Sequence, residues 1–232
     1  MGEPDIEVSD KFLNLAKQVK NPIICDIGSR DAVEGLYLQK TLNAKKLHIF
    51  EPNPEAIAKC KNNIGDTPNV VMNEFALSDS IGEIEFYPVD SEASDRKDIG
   101  LSSMYKVNPN YTKSRGKIEQ SIIKVQTSTL DDYFKDQEAP TILWVDVEGA
   151  ELKVFQGGLQ TLKNVELIHV EVGFRQMHVG KPLFWEINQF LEQQDFRFEG
   201  FVEYSTLKTW LYVNKWLPNL PWRANAIYRR KS

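Results

Sequence analysis

The sequence predicts an α/β protein built on a doubly wound, mainly parallel sheet. Three observations carry that expectation. Short apolar runs at residues 23–27, 47–50, 70–75, 142–145 and 167–172 alternate with segments of helical period. Polar residues close several of those runs: Asp26, Gly28 and Ser29 the first, Asp146 the fourth, Glu171 the fifth. Open α/β sheets bind ligands at that carboxyl edge. Glu51, closing the second run, follows Gly28 by about 20 residues, the length of one βαβ unit.

Taken in order, Ser9 is a candidate N-cap for a first helix whose Phe12, Leu13, Ala16 and Val19 recur at helical spacing. Residues 32–42 form the first crossover helix. Asn53 and Pro54 read as the N-cap and first-turn pair of the next helix. Ala76, Leu77, Ser78 and Asp79 follow the third strand, where backbone can meet an adenine ring or form a simple turn. Residues 82–127 break the rhythm. Two alternating strands there flank a long polar segment, an insertion on the sheet edge that is either a functional lid or disordered. Leu130, Tyr133 and Phe134 suggest a short helix, and helical pattern resumes from Ala150 through Leu162. Phe184, Ile187, Phe190 and Leu191 mark the helix before the last two strands, at 197–204 and 225–229. Residues 206–223 are rich in aromatics, with Trp210, Tyr212, Trp216 and Trp222 close together. Core or interface packing is the leading reading of that group; a wall of an acceptor pocket and a shallow membrane contact are the alternatives.

The bulk numbers exclude several classes. The chain of 232 residues is 41% hydrophobic and 26% charged, with net charge −5, which suits one domain over 1–232. No basic stripe offsets the acidic excess, so nucleic acid is not the expected partner. Arg229, Arg230 and Lys231 read as a solvated terminus. Cys25 and Cys60 lack partners at metal spacing and read as buried thiols in a reducing cytosol. The polar, acidic start carries no signal peptide and no apolar run approaches a bilayer's width, so a soluble, cytoplasmic protein is expected. The oligomeric state is not legible.

The chemistry follows from the acids. A carboxylate at Glu51 can accept both hydroxyls of a ribose, which marks an adenosine cofactor. A dinucleotide would need more glycines near its pyrophosphate, whereas the DIGSRDAVEG stretch offers only Gly28 and a distant Gly35. Asp26 and Asp31 would repel a diphosphate but suit a ligand carrying an ammonium and a sulfonium. S-adenosylmethionine carries both, and Arg30 or helix amides can receive its carboxylate. Asp146, Glu171 or His178 is the candidate proton acceptor for a weakly nucleophilic hydroxyl. His178 follows the fifth strand in a loop, which makes it reachable; His48 and His169 lie inside apolar strands and read as packed. Asp146 with Glu171 makes two carboxylates, too few to define a metal site. Glu151 reads as a helix-start acid.

The runs IICDIGS, HIFEPNPEAIAKCKNN, FALSDSIGEIEFY, TSTLDDYF and WVDVEGAELKVFQGG, in that order, resemble the FkbM-type methyltransferases over residues 23–172. The resemblance implies a Rossmann-like class I methyltransferase fold with seven strands, the last antiparallel. It also implies S-adenosylmethionine as cofactor and O-methylation of a hydroxyl, often on a sugar or secondary metabolite. Carried over by motif, Asp26, Gly28, Glu51, Asn53 and Ala76 line the cofactor site, with Ser29, Arg30 and Pro52 beside them. Asp146 and Glu148 face the reacting centre, and GLSSM at 100–104 resembles a serine-rich loop of the family. Two departures stand out: Gly28 has no near second glycine, and Trp144 replaces a lysine common two positions before the D-x-E-G aspartate. They motivate a rival reading as a catalytically silent binding module; another nucleotide-dependent enzyme is the weaker rival.

Overall fold

The computed structural model describes residues 6, 8–95, 99–202 and 222–231. Its strands in chain order are β1 (Ile23–Ile27), β2 (Lys46–Phe50), β3 (Val70–Asn73), β4 (Ala76–Leu77) and β5 (Gly82–Phe86), then β6 (Ile123–Ser128), β7 (Ile142–Val145), β8 (Leu167–Gly173), β9 (Phe196–Val202) and β10 (Arg223–Arg230). Seven of them form one sheet in the order β3-β2-β1-β7-β8-β10-β9. The pairs from β3 to β8 are parallel, while β10 runs antiparallel to both its neighbours. The order reverses at β1, so the β1–β7 boundary is the switch point where a doubly wound sheet opens a crevice.

Strands at the sheet centre are buried on both faces, which is why they read as continuous apolar runs. One face is covered by a core that includes Phe50, Val145, Phe155 and Tyr228, the other by Phe12, Leu38, Ile49 and Trp144. Helix α1 (Asp10–Ala16) starts where Ser9 accepts the Phe12 amide at 3.2 Å, and its Phe12 meets Trp144 edge-on. The crossover helix α2 (Val33–Leu42) packs closely because Gly35 has no side chain; a Cβ there would lie 2.5 Å from the Asp26 carboxylate. Helix α3 (Pro54–Ile64) begins as expected, with Asn53 accepting the Glu55 amide and Pro54 in the first turn. The basic end is not a solvated terminus: Arg229 and Arg230 lie in β10, and the Arg230 guanidinium sits over Phe196. Cys25 and Cys60 are buried free thiols.

Three expectations are revised. The third strand stops at Asn73; Ala76 and Leu77 cross to a second sheet, ordered β4-β6-β5. The segment between β5 and β6 is not a structureless loop. It holds a 3-10 turn at Ile99–Leu101 and α4 (Pro109–Arg115), and it builds a small core from Val89, Leu101, Val107, Tyr111 and Met177. Finally, the helix expected from Ala150 to Leu162 is broken. After α5 (Leu130–Phe134), helix α6 (Glu151–Gln156) stops at Gly157, and a separate 3-10 turn covers Thr161–Asn164. The last helix, α7 (Phe184–Gln193), precedes β9 as anticipated. Trp210, Tyr212 and Trp216 lie outside the described residues; Trp222 is described and packs edge-on against Tyr111.

Gly157, the C-cap of α6, lets that helix end approach the turn at Ser78 closely. A Cβ there would stand 2.1 Å from the Ser78 carbonyl oxygen. Gly157→Ala is therefore expected to cost about 1–3 kcal/mol, the usual range for overpacking, read as a lower urea midpoint with unchanged slope.

Candidate functional site

The chain leaves β1 through Gly28, whose φ of +81° favours glycine. A Cβ at this position would fall 1.9 Å from the Asp146 carbonyl oxygen, so the backbones after β1 and β7 touch. The Gly28 amide donates to the Phe50 carbonyl and the Asp146 amide to the Ile27 carbonyl, each at 2.9 Å. Beyond it, the Arg30 amide donates to Glu51 Oε2 at 3.0 Å, and the Asn53 amide to Glu51 Oε1 at 2.8 Å. Three strand ends are thereby joined by backbone bonds. Burial pushes the Glu51 carboxyl up to about 7, although both amides favour its ionised form.

A cleft of about 600 Å³, measured out to its open mouth, lies over these ends. Gly28, Arg30, Glu51, Pro52, Asn53, Ala76, Asp146 and Glu148 all line it. Its apolar side adds Phe75, Phe86 and Met104, and Gly100 and Ser102 close it from the insertion. Phe86 was not anticipated: its strand was read, but not its approach to the sheet edge. Asp26 and Ser29 are placed differently. They line a second, polar cavity that adjoins the first at Gly28, Arg30, Asp146 and Glu148. Asp26 accepts the Ser29 hydroxyl, whose oxygen accepts the Ala32 amide at 3.1 Å, so the pair stiffens the loop. Burial raises Asp26 to about 8 against that hydroxyl's opposing pull. Arg30, with a φ of +55°, turns its side chain to Asp31.

The second cavity contains the acids after β7 and in β8. One oxygen each from Asp146, Glu148 and Glu171 lie within 4.8 Å of one another. More acids converge here than the two expected from sequence. Glu148 is delivered by a turn at φ +52° and accepts Arg223 at 3.0 Å; Arg223 also bridges to Glu171 at 2.6 Å. Burial drives both glutamates upward; Asp146 adds to the rise of Glu148, Glu148 and Asp146 to that of Glu171, while Arg223 and Lys181 oppose it. Lys181 is buried beside them: burial pulls its ammonium down, but Glu151, Glu171 and Glu148 outweigh that. Glu151 itself accepts the Gly149 amide at 2.8 Å, as a helix-start acid does.

His178 is not reachable from solvent. It has no exposed surface, donates from Nε2 to the Leu101 carbonyl at 3.1 Å, and presents Nδ1 to Glu148 Oε2 at 3.8 Å. Burial lowers its pKa to about 4, so the ring is neutral. His48 and His169 are packed, His48 against Tyr133 and His169 stacked flat on Trp144 at 3.5 Å. Sequence reasoning passed over Arg223, Lys181 and Ser103. Ser103 fastens the insertion to the site by donating to the Glu148 carbonyl at 2.9 Å; the serine-rich GLSSM run was its signal.

A seven-stranded sheet with an antiparallel last strand, and an acid-lined cleft at its switch point, defines a Rossmann-like methyltransferase. The chain belongs to the FkbM methyltransferase family, whose domain model ("Methyltransferase FkbM domain") matches residues 26–198. It is 30% identical over 164 residues to the 2-O-methyltransferase NoeI of Sinorhizobium fredii, covering 69% of this chain and 67% of that protein. With the hexuronic acid methyltransferase AglP of Haloferax volcanii it shares 25% over 163 residues, 69% of this chain and 59% of the relative. A precorrin-6y C5,15-methyltransferase structure from Geobacter metallireducens matches at 11% identity and TM-score 0.50, over 99% of this chain and 96% of that one. A protein of the NADB-Rossmann superfamily from Streptococcus agalactiae matches at 11% and 0.51, over 99% and 71%. These two structures bear on the fold alone. No helix among the described residues is long and apolar enough to cross a membrane.

Arg223→Gln would leave two buried carboxyls without their guanidinium. The expected loss is about 1–3 kcal/mol of stability by urea denaturation, below the cost of breaking a fully buried pair because the Arg223 side chain is 43% exposed.

Proposed function

We propose that the chain transfers a methyl group from S-adenosylmethionine to a hydroxyl of a sugar or glycan. The observation that carries this reading is Glu51. Each of its oxygens accepts a single backbone amide, and a carboxylate oxygen has room for a second donor. A ribose diol fits that remaining capacity. Asn53 and Pro52 would flank the sugar, and Ala76 with Phe75 and Phe86 would enclose the adenine. The methionine end would lie along Gly28, Ser29 and Arg30, near Asp26 and Asp146. A cationic donor suits the acids at this cleft, whereas a diphosphate would be repelled by them.

The donor supplies an electrophilic methyl carbon that an acceptor oxygen displaces in line from sulfur. The chain's part is to position the acceptor and to take up its proton. Holding two reactants in line contributes at most about 7–11 kcal/mol. Asp146 and Glu171 face the polar cavity and are the proton acceptors of this reading, a role worth roughly 10²–10⁴ in rate. His178 is buried behind Glu148, outside the lining of the polar cavity, and takes no part in this reading. The acceptor class rests on the cavity's polar lining and on the printed names of the two relatives, one a 2-O-methyltransferase and one a hexuronic acid methyltransferase.

Calorimetry with S-adenosylhomocysteine and with NAD tests the donor, and methyl transfer to a panel of sugars and glycans tests the reaction. Binding of S-adenosylhomocysteine with transfer to a sugar hydroxyl supports the reading. Binding of NAD in its place rejects it, and donor binding with no transfer to any acceptor favours a silent module. Glu51→Ala should weaken S-adenosylhomocysteine by about 10–100-fold, the worth of hydrogen bonds to a charged group; unchanged affinity would remove the ribose role.

A pH dependence follows from the same residue. Free Glu51 titrates at about 7, and hydroxyls donating to its ionised form lower that value in the complex. Binding therefore releases a proton, and affinity should rise between roughly pH 6 and pH 8. Titrations in buffers of different ionisation enthalpy read the released proton directly, and Glu51→Gln should flatten the profile.

A further inference from the structure

Lys181, in the connection between β8 and α7, is among the largest fully buried side chains, 2% exposed. Lysine is seldom buried to this extent unless its charge is compensated. Two glycines make room for it. A Cβ on Gly149 would lie 2.8 Å from the Lys181 Cβ, and one on Gly173 would lie 2.7 Å from its Cε and 3.2 Å from Nζ. Gly149 follows Glu148 directly, and Gly173 stands two residues beyond Glu171 in β8, on the same face of the sheet. The stem therefore crosses the turn that carries Glu148 and ends over the strand that carries Glu171.

The ammonium is compensated from several elements at once. Burial pulls it down, but Glu151 of α6, Glu171 of β8, and Glu148 and Asp146 of the turn after β7 outweigh that. In return, against the burial that raises Glu148, Glu151 and Glu171, the ammonium favours their ionised forms. Arg223 of β10 acts on the same glutamates, His178 stands in the same connection, and Tyr105 of the insertion lies over Gly149. The two cations act differently. Arg223 bonds Glu148 Oε1 and Glu171 Oε2. Asp146 Oδ1 and Glu171 Oε1 have no hydrogen-bond partner, so Lys181 supplies charge beside them without occupying them. An apolar chain of the same length would fill this space at a lower desolvation cost. Packing alone does not call for an ammonium here.

We infer that Lys181 is a positioning residue for methyl transfer: its ammonium keeps the carboxylates of the polar cavity charged and in place, with Asp146 Oδ1 and Glu171 Oε1 open to the acceptor hydroxyl. This role rests on the methyl-transfer reading above. In that step the acceptor oxygen bonds the methyl carbon, the carbon–sulfur electron pair goes to sulfur, and the hydroxyl proton passes to Asp146 or Glu171. A carboxylate takes that proton only while ionised, so a fixed cation beside it extends transfer to lower pH.

Two variants of the full chain test the role. Lys181→Met keeps the stem and removes the charge, whereas Gly173→Ala keeps the charge and displaces the flexible end of the stem. Each is followed by methyl transfer against pH, by S-adenosylhomocysteine calorimetry, and by carboxyl-carbon magnetic resonance titration assigned with Glu171→Gln. In Lys181→Met the carboxyls ionise at higher pH, so the rising limb of the rate profile should move up by about one pH unit or more. Below the limb the rate should fall about tenfold, with S-adenosylhomocysteine affinity unchanged within about twofold. Gly173→Ala should move the limb the same way by less; if circular dichroism shows Lys181→Met unfolded, Gly173→Ala decides. A lower rate at every pH, with limb and carboxyl titration unmoved, marks a structural role and overturns the inference while the methyl-transfer reading stands. A shifted Glu171 titration, where even the unaltered chain transfers to no acceptor, rejects that reading and leaves the hold of Lys181 on the carboxylates.

Discussion

The contact between Gly28 and the Asp146 carbonyl sets the geometry of everything at this sheet edge. Neighbouring parallel strands normally separate as their chains turn to opposite faces, which is what opens the crevice. Here the two exits touch, because the residue after β1 has no side chain to hold them apart. Bonds from Gly28 to Phe50 and from Arg30 to Glu51 extend the junction to β2. The floor of the cleft is therefore continuous backbone, while the groups that contact a ligand are side chains standing on it. A floor of this kind needs little reorganisation when a ligand enters, which is the condition for a largely pre-formed site.

Electrostatics then decide what can enter. Asp26, Glu51, Glu148 and Glu171 are all pushed upward, in each case mainly by burial. The fold holds these acids in water-poor positions where ionisation is costly, and a cation lowers that cost. The compensation is divided. At the β1 and β2 ends, Asp26 is met by the Ser29 hydroxyl and Glu51 by the Arg30 and Asn53 amides. Beside Glu148 and Glu171, Arg223 and Lys181 supply permanent charge. The lysine missing at position 144 is thus not the only way to place an ammonium near these acids; Lys181 reaches them from the connection after β8. Trp144 instead stacks on His169 and is held by Phe12 of α1.

How far the sequence could be read follows from the range of the interactions. The β1 exit, the Glu51 spacing, the Asn53 cap and the acids Asp146 and Glu171 were legible because each is set by local period or strand length. The break of α6 at Gly157 was not, nor was the need for glycine there, which the Ser78 carbonyl of a distant turn imposes. Arg223 was hidden for a similar reason. It reaches Glu171 through the antiparallel register of β10 on β8, which pairs Arg223 with Gly173 and Asn225 with Glu171. His178 misled for the opposite reason: a residue in a loop after a strand reads as exposed, yet the insertion covers it through the Val107 bridge.

That covering links the insertion to the chemistry. The Asn108 amide donates to the Met177 carbonyl at 2.7 Å and the Val179 amide to the Lys106 carbonyl at 2.8 Å, so the insertion and the β8–α7 connection are bonded in both directions. Ser103 ties the same insertion to the Glu148 carbonyl, and its Ser102 and Met104 line the cleft over Glu51. A displacement of the insertion cannot be confined to one of these places. It would shift the cleft wall, the Glu148 turn and the backbone beneath His178 together. The sheet fixes where Asp146 and Glu171 stand, and the insertion holds the histidine nearest Glu148. The two cavities are therefore mechanically one unit, joined by hydrogen bonds of ordinary length and by the small core in which Met177 packs with Val107 and Tyr111.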